Sequence, residues 1–103
     1  MLAKQIILKI VEADPDIETS RPYRSSKGYT QWMNSKHEWH RVDGPAVIWD
    51  NGTKIWMVHN KHHRLDGPAY EGKDGSKMWF VDDKRIPVTS QEEFVNYLLG
   101  IKI

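Results

Sequence analysis

His40-Arg41-Val42-Asp43-Gly44-Pro45-Ala46 returns 23 residues later as His63-Arg64-Leu65-Asp66-Gly67-Pro68-Ala69, with six of the seven residues identical. The same offset lays Gly52-Thr53-Lys54-Ile55-Trp56 on Gly75-Ser76-Lys77-Met78-Trp79, and Trp56-Met57-Val58 on Trp79-Phe80-Val81. A degenerate earlier copy, Gly28-Tyr29-Thr30-Gln31-Trp32-Met33, again places glycine four residues before tryptophan. A fixed period of this kind marks one supersecondary unit built several times and stacked on itself. Residues 28–86 hold about two and a half copies.

The local chemistry of each copy predicts antiparallel strands. Asp50-Asn51-Gly52 and Lys73-Asp74-Gly75 put Asn-Gly and Asp-Gly between short strand-like runs. That is the signature of a type I′ hairpin tip, whose two central residues both need positive φ. Val42-Asp43-Gly44-Pro45 and Leu65-Asp66-Gly67-Pro68 read as a second tight turn ending in a glycine of positive φ, after which proline cannot donate to a ladder. A weaker third turn falls at His59-Asn60 and at Asp82-Asp83, where Asn and Asp tolerate the left-handed region.

Within the runs 54–58 and 77–81, Trp56 with Val58 and Trp79 with Val81 share one face, while Ile55 with Met57 and Met78 with Phe80 share the other. Two apolar faces predict a strand covered on both sides. Stacking of equivalent residues predicts a core ladder of Trp32, Trp56 and Trp79. Trp49 aligns with Gly72, so its ring is expected over the space vacated in the next copy. Trp39 aligns with His62 and is the tryptophan expected at the surface.

A short repeat array needs its ends covered. Ser90-Gln91-Glu92-Glu93 reads as a capping box, Phe94, Leu98 and Ile101 follow at helical spacing, and Gly100 is a stop, which predicts a helix over 91–99 packed on the last copy. Leu2, Ala3, Ile6, Ile7, Ile10 and Val11 fall on one side of a helical wheel, so an N-terminal helix is expected, ended by Asp14-Pro15-Asp16, with a polar connection from Ile17 to Lys27. The fold class expected is therefore α+β: one domain over 1–103, comprising an N-terminal helix and connection (1–27), a hairpin-repeat sheet of five to seven short antiparallel strands (28–86) and a C-terminal capping helix (87–103).

Composition narrows the function. Only 39% of the 103 residues are hydrophobic, yet five Trp, four Tyr and two Phe are among them, so aromatic rings must supply much of the buried area. Fifteen Lys and Arg against fourteen Asp and Glu leave a net charge of +1, which names no polyanionic partner. The absence of cysteine rules out a disulfide scaffold, a Cys-ligated zinc site and a thiol nucleophile, and a reducing, cytoplasmic setting is the default expectation. No apolar run approaches the roughly 20 residues that span a bilayer, and no targeting segment is visible, so no membrane association is expected.

The pattern His-Arg-x-Asp-Gly-Pro-Ala followed by Asp-Gly-x-Lys-x-Trp resembles the MORN-type β-hairpin repeat, in the divergent form found in bacteriophage and bacterial proteins. The resemblance covers about residues 28–86, and Glu92-Glu93-Phe94 is similar to the helix that trails such repeats. It implies a rigid, slightly curved sheet used as a binding surface. It also implies a phage origin and a role as a small inhibitor or adaptor acting on a host protein.

Three constellations invite chemistry. His59, His62 and His63, with His37 and His40 nearby, suggest a zinc site, but the repeat does not reproduce the spacing of a ligand set, and no metal or other cofactor is assigned. Arg41 with Asp43 and Arg64 with Asp66 could pass for a catalytic pair. Their duplication at a turn fits a structural unit better. No phosphate loop or nucleophile constellation is found, and the chain is read as non-enzymatic, with no catalytic residue. Arg21, Arg24 and Lys27 with Tyr23 and Tyr29 could bind single-stranded nucleic acid, the alternative to a protein partner. The favoured reading is a protein-binding module, with Trp39, Trp49, His62 and Tyr70 as anchors, while Arg21 and Arg24 are the binding candidates of the nucleic-acid alternative. Open sheet edges leave a homo-oligomer as a further expectation.

Overall fold

Tyr29 to Val81 folds as the repeat requires, and the unit begins one strand earlier than the glycine-tryptophan pattern indicates. The structure, a computed structural model, describes residues 20–100. Its strands are β1 (Arg21–Ser25), β2 (Tyr29–Met33), β3 (Val47–Trp49), β4 (Lys54–Ile55), β5 (Met57–Val58), β6 (Lys61–His62), β7 (Tyr70–Glu71), β8 (Lys77–Val81) and β9 (Lys84–Ile86), followed by helix α1 (Gln91–Leu98). Seven strands form one antiparallel sheet in the order β1-β2-β3-β4-β7-β8-β9, and β5 and β6 form a separate ribbon. The N-terminal helix expected over Leu2 to Val11 lies outside the described residues. Residues 21–25 were expected in a polar connection but form an edge strand, because β2 needs on its outer side the partner that β3 gives β4. Proline and two arginines hide that strand in the sequence. Trp32 turns its N–H to Ala46 and its C=O to His40, so Pro22, which lies opposite Trp32, faces the outer edge, where its missing N–H discourages further pairing.

Each copy is a hairpin whose second strand runs past its tryptophan into a tighter hairpin. In the last copy β8 is continuous, pairing with β7 at Lys77 and Met78 and with β9 from Trp79 to Val81. In the middle copy the same run divides at Trp56: Lys54–Ile55 joins the main sheet and Met57–Val58 pairs with β6. Adjacent copies are stitched alike, Trp32 N–H to Ala46 O at 2.7 Å and Trp56 N–H to Ala69 O at 2.8 Å. Arg41 N–H to Met57 O at 3.0 Å and Arg64 N–H to Phe80 O at 3.2 Å form a second matched pair.

The turns use the expected residues in a different division of labour. At the Asn-Gly and Asp-Gly tips only Gly52 (φ 99°) and Gly75 (φ 88°) are left-handed. Trp49 exchanges hydrogen bonds with Gly52 N–H and Thr53 O, and Gly72 does the same with Gly75 and Ser76. That is a type I turn closed by a glycine bulge, not the type I′ expected. Asn51 and Asp74 instead accept the N–H two residues on, at 2.9 and 3.0 Å. The type I′ turns are the two that looked weak, His59-Asn60 (φ 49° and 65°) and Asp82-Asp83 (φ 50° and 68°).

Burial is uneven. Most strand residues are half-buried, so the expectation of cover on both sides does not hold among the described residues, where the eight-residue α1 packs on the last copy alone. The tightest cluster is Trp79, Ile86 and Phe94, with Val81, Val88 and Leu98 packed on it, at the C-terminal end where α1 covers the last copy. Ser90 caps α1 by accepting Glu93 N–H at 3.2 Å, Glu93 accepts Thr89 N–H and Oγ1–H at 2.8 Å each, and Gly100 (φ 74°) follows the last turn. Among the described residues no helix is long and apolar enough to cross a membrane.

Candidate functional site

The His-Arg-x-Asp-Gly-Pro segment explains itself once its side chains are placed. The Arg41 guanidinium lies 4.0 Å from the Trp32 ring centre and that of Arg64 lies 3.9 Å from Trp56. Arginine Nε donates to the following Asp, at 3.2 Å to Asp43 and 2.9 Å to Asp66. Its Nη1 donates to the proline carbonyl, at 3.2 Å to Pro45 and 3.0 Å to Pro68. The turn thus holds the guanidinium flat on the indole of the preceding hairpin. Gly44 and Gly67 do not have the positive φ expected of them. They are glycine because a Cβ would stand 2.8 and 2.7 Å from the guanidinium carbon. Trp32, Trp56 and Trp79 therefore do not build the core as a plain indole ladder: arginine covers the first two, and α1 covers the third. Trp79 pairs with Phe94 at 6.4 Å and donates from Nε1 to Gln91 Oε1 at 3.0 Å. A cleft between this turn and α1, lined by Arg64, Asp66, Pro68, Lys77, Trp79 and Gln91, is already held by these contacts and by Gln91 Nε2 on Asp66 O.

The histidine cluster disperses. His59 Nδ1 is 2.9 Å from Glu38 Oε1, His62 Nδ1 is 3.0 Å from Asp83 Oδ1, and His63 Nδ1 accepts Asp82 N–H at 3.0 Å. Hydrogen bonds from Asn34 and then His59 hold the Glu38 carboxyl below the usual range. Burial, partly offset by Asp82, pushes the His63 imidazole down. Among the described residues no group of three or more His, Cys, Asp or Glu side chains is placed to hold a metal ion.

Ladder register decides which candidate residues share a side. Tyr23, Gln31, Val47, Ile55, Tyr70 and Met78 are successive cross-strand partners, so they form one row on one face, here the front. Tyr29 and Trp49 are partners on that same face, with rings 4.6 Å apart. Trp49 thus packs on Tyr29, not over Gly72 as expected, because its strand partner is in the preceding copy. Arg21 and Trp39 both pair with Met33, and His62 lies 5.0 Å from Phe80, which extends the same face toward the ribbon. Trp39 is exposed at 38% and donates from Nε1 to Gln31 Oε1 at 2.7 Å, tying these residues to the row. Trp39 and His62 occupy equivalent places: Asn60 and Asp83 each accept the backbone N–H through Oδ1, at 2.7 Å, and donate to the backbone C=O, at 2.9 and 2.8 Å.

Arg24 stands apart from the other five. It points to the back face and meets Asp50 through two contacts, which raises the Arg24 pKa and lowers that of Asp50. The basic and aromatic segment 21–29 is thereby split between two faces. Sequence reasoning missed Gln31, the partner of Trp39. Its signal was the repeat itself, since the aligned positions are Ile55 and Met78 and only the first copy is polar there. No protein-family model, curated protein or solved structure matches the chain.

Proposed function

We propose that the chain is a non-catalytic protein-binding module that docks a partner protein on the front face. The observation that carries this reading is the shared side of Arg21, Trp39, Trp49, His62 and Tyr70, while the back face is engaged by the arginine clamps and α1. Tyr23, exposed at 47% and paired across the strands with Gln31, adds a second accessible ring on that face. Half-buried aromatic side chains on a hydrogen-bonded sheet lose little entropy on binding and are the residue types that dominate interface energetics. A nucleic-acid role is less well supported, because Arg24 is neutralised by Asp50 on the opposite side. The finer reading, a small inhibitor or adaptor of phage origin acting on a host protein, rests on the MORN-like resemblance.

Affinity purification with the full chain tests the proposal, comparing the wild type with Trp39→Ala on the front and Arg24→Ala on the back. A partner retained by wild type and Arg24→Ala but lost by Trp39→Ala, at unchanged melting temperature, supports it. Equal retention by all three overturns it. So does salt-dependent retention of a single-stranded oligonucleotide that disappears in an Arg21→Ala/Arg24→Ala double variant.

A further inference from the structure

We infer that His40 and His63 form a pH-sensitive latch between copies, each holding the next copy only while its imidazole is neutral. His40 Nδ1 accepts His59 N–H at 3.1 Å, and His63 Nδ1 accepts Asp82 N–H at 3.0 Å. Each amide belongs to the first left-handed residue of the next copy's type I′ turn, at φ 49° and 50°. A backbone N–H can only donate, so each Nδ1 must present a lone pair and the ring proton must sit on Nε2. Protonation would set an N–H against an N–H and break the bond.

Both rings are shielded from water: His40 is fully buried and the His63 side chain is only 9% exposed. Neutral imidazole is the form that burial favours, in agreement with the downward displacement of His63. Among the described residues, the titratable groups facing His40 include His59, with ring centres 4.3 Å apart, and behind it Glu38 on His59 Nδ1. A charged His59 would add repulsion against a charged His40. His63 faces the Asp82 carboxylate at 3.5 Å, which works against the latch but does not override burial. In the third copy Ile86 stands where the other copies have histidine and is buried in the Trp79–Phe94 cluster, so the array is latched twice and then closed by apolar packing.

The sign follows from linkage. Unfolded histidine takes a proton near pH 6.5, whereas the folded latch resists it. The stabilisation is complete above that pH and falls away below it, until the folded rings titrate. Each latch makes the folding constant fall about ten-fold per pH unit in that window, and two together about a hundred-fold. The same turns carry Asn60 and Asp83, which anchor the Trp39 and His62 backbones, so acid would also disorganise the front face.

The test compares the full-length wild type with a His40→Asn/His63→Asn double variant, since asparagine Oδ1 supplies the acceptor without titrating. Denaturant unfolding is measured from pH 7.5 to pH 5. The wild-type folding constant should fall more steeply than that of the double variant, by about a hundred-fold per unit. Parallel profiles overturn the inference. Nitrogen NMR of the wild-type histidines decides the matter if the variant fails to fold: unprotonated Nδ1 at pH 7.5 with titration below pH 6.5 supports the latch, and a proton on Nδ1 or titration at or above 6.5 overturns it.

Discussion

The Arg64 guanidinium lies 3.9 Å from the centre of the Trp56 ring, with Nε on Asp66 and Nη1 shared between the Pro68 carbonyl and the Glu71 carboxylate. A cation over an indole is worth about 0.5–2 kcal/mol, and the hydrogen bonds around it fix its plane. The repeated motif is thus a clamp that covers a half-buried tryptophan with a guanidinium held flat on its ring.

Arg64→Lys should therefore destabilise the protein although charge is conserved. An ammonium cannot lie flat on the ring while reaching Asp66 and Pro68 together. The expected loss in urea denaturation is about 1–2 kcal/mol. Wild-type stability in this variant would mean the clamp contributes nothing.

Gly67→Ala and Gly75→Ala should both destabilise, for different reasons that a double-mutant cycle separates. The Cβ at Gly67 strikes the clamped guanidinium at 2.7 Å, so Arg64→Ala should absorb most of its cost. At Gly75 the Cβ meets nothing within 4 Å, but the φ of 88° disfavours alanine by about 1 kcal/mol, and no partner substitution should rescue it.

Phe94→Ala removes a fully buried ring from the cluster with Trp79 and Ile86. Such truncations cost about 3–5 kcal/mol. Thermal denaturation should show a drop on that scale, and near-ultraviolet circular dichroism should show loss of the Trp79 environment.

Asn60→Gly and Asn60→Ala distinguish the two tasks of that residue. Glycine keeps the left-handed backbone, at φ 65°, and loses only the Oδ1 acceptor for Trp39 N–H, at a cost of about 0.5–1.5 kcal/mol. Alanine also strains the turn and should be the less stable of the two by chemical denaturation.

The sequence carried the repeat, the places where the chain reverses, the C-terminal helix and the exposed position of Trp39, because each is written in spacing or in a residue's own conformational preference. It misled at the turns, where Asn-Gly is compatible with both a type I′ turn and a type I turn with a glycine bulge. Strand β1 was illegible because an exposed edge needs no apolar alternation.

The amino-acid order alone settled that one hairpin unit would recur about two and a half times and be closed by a C-terminal helix, since periodicity, turn chemistry and capping are local. Only the folded chain decided that arginine shields Trp32 and Trp56 but not Trp79, that His40 and His63 serve as acceptors between copies, and that five of the six candidate binding residues share one face. Those facts depend on register and on contacts between residues of different strands and turns, which no local preference encodes.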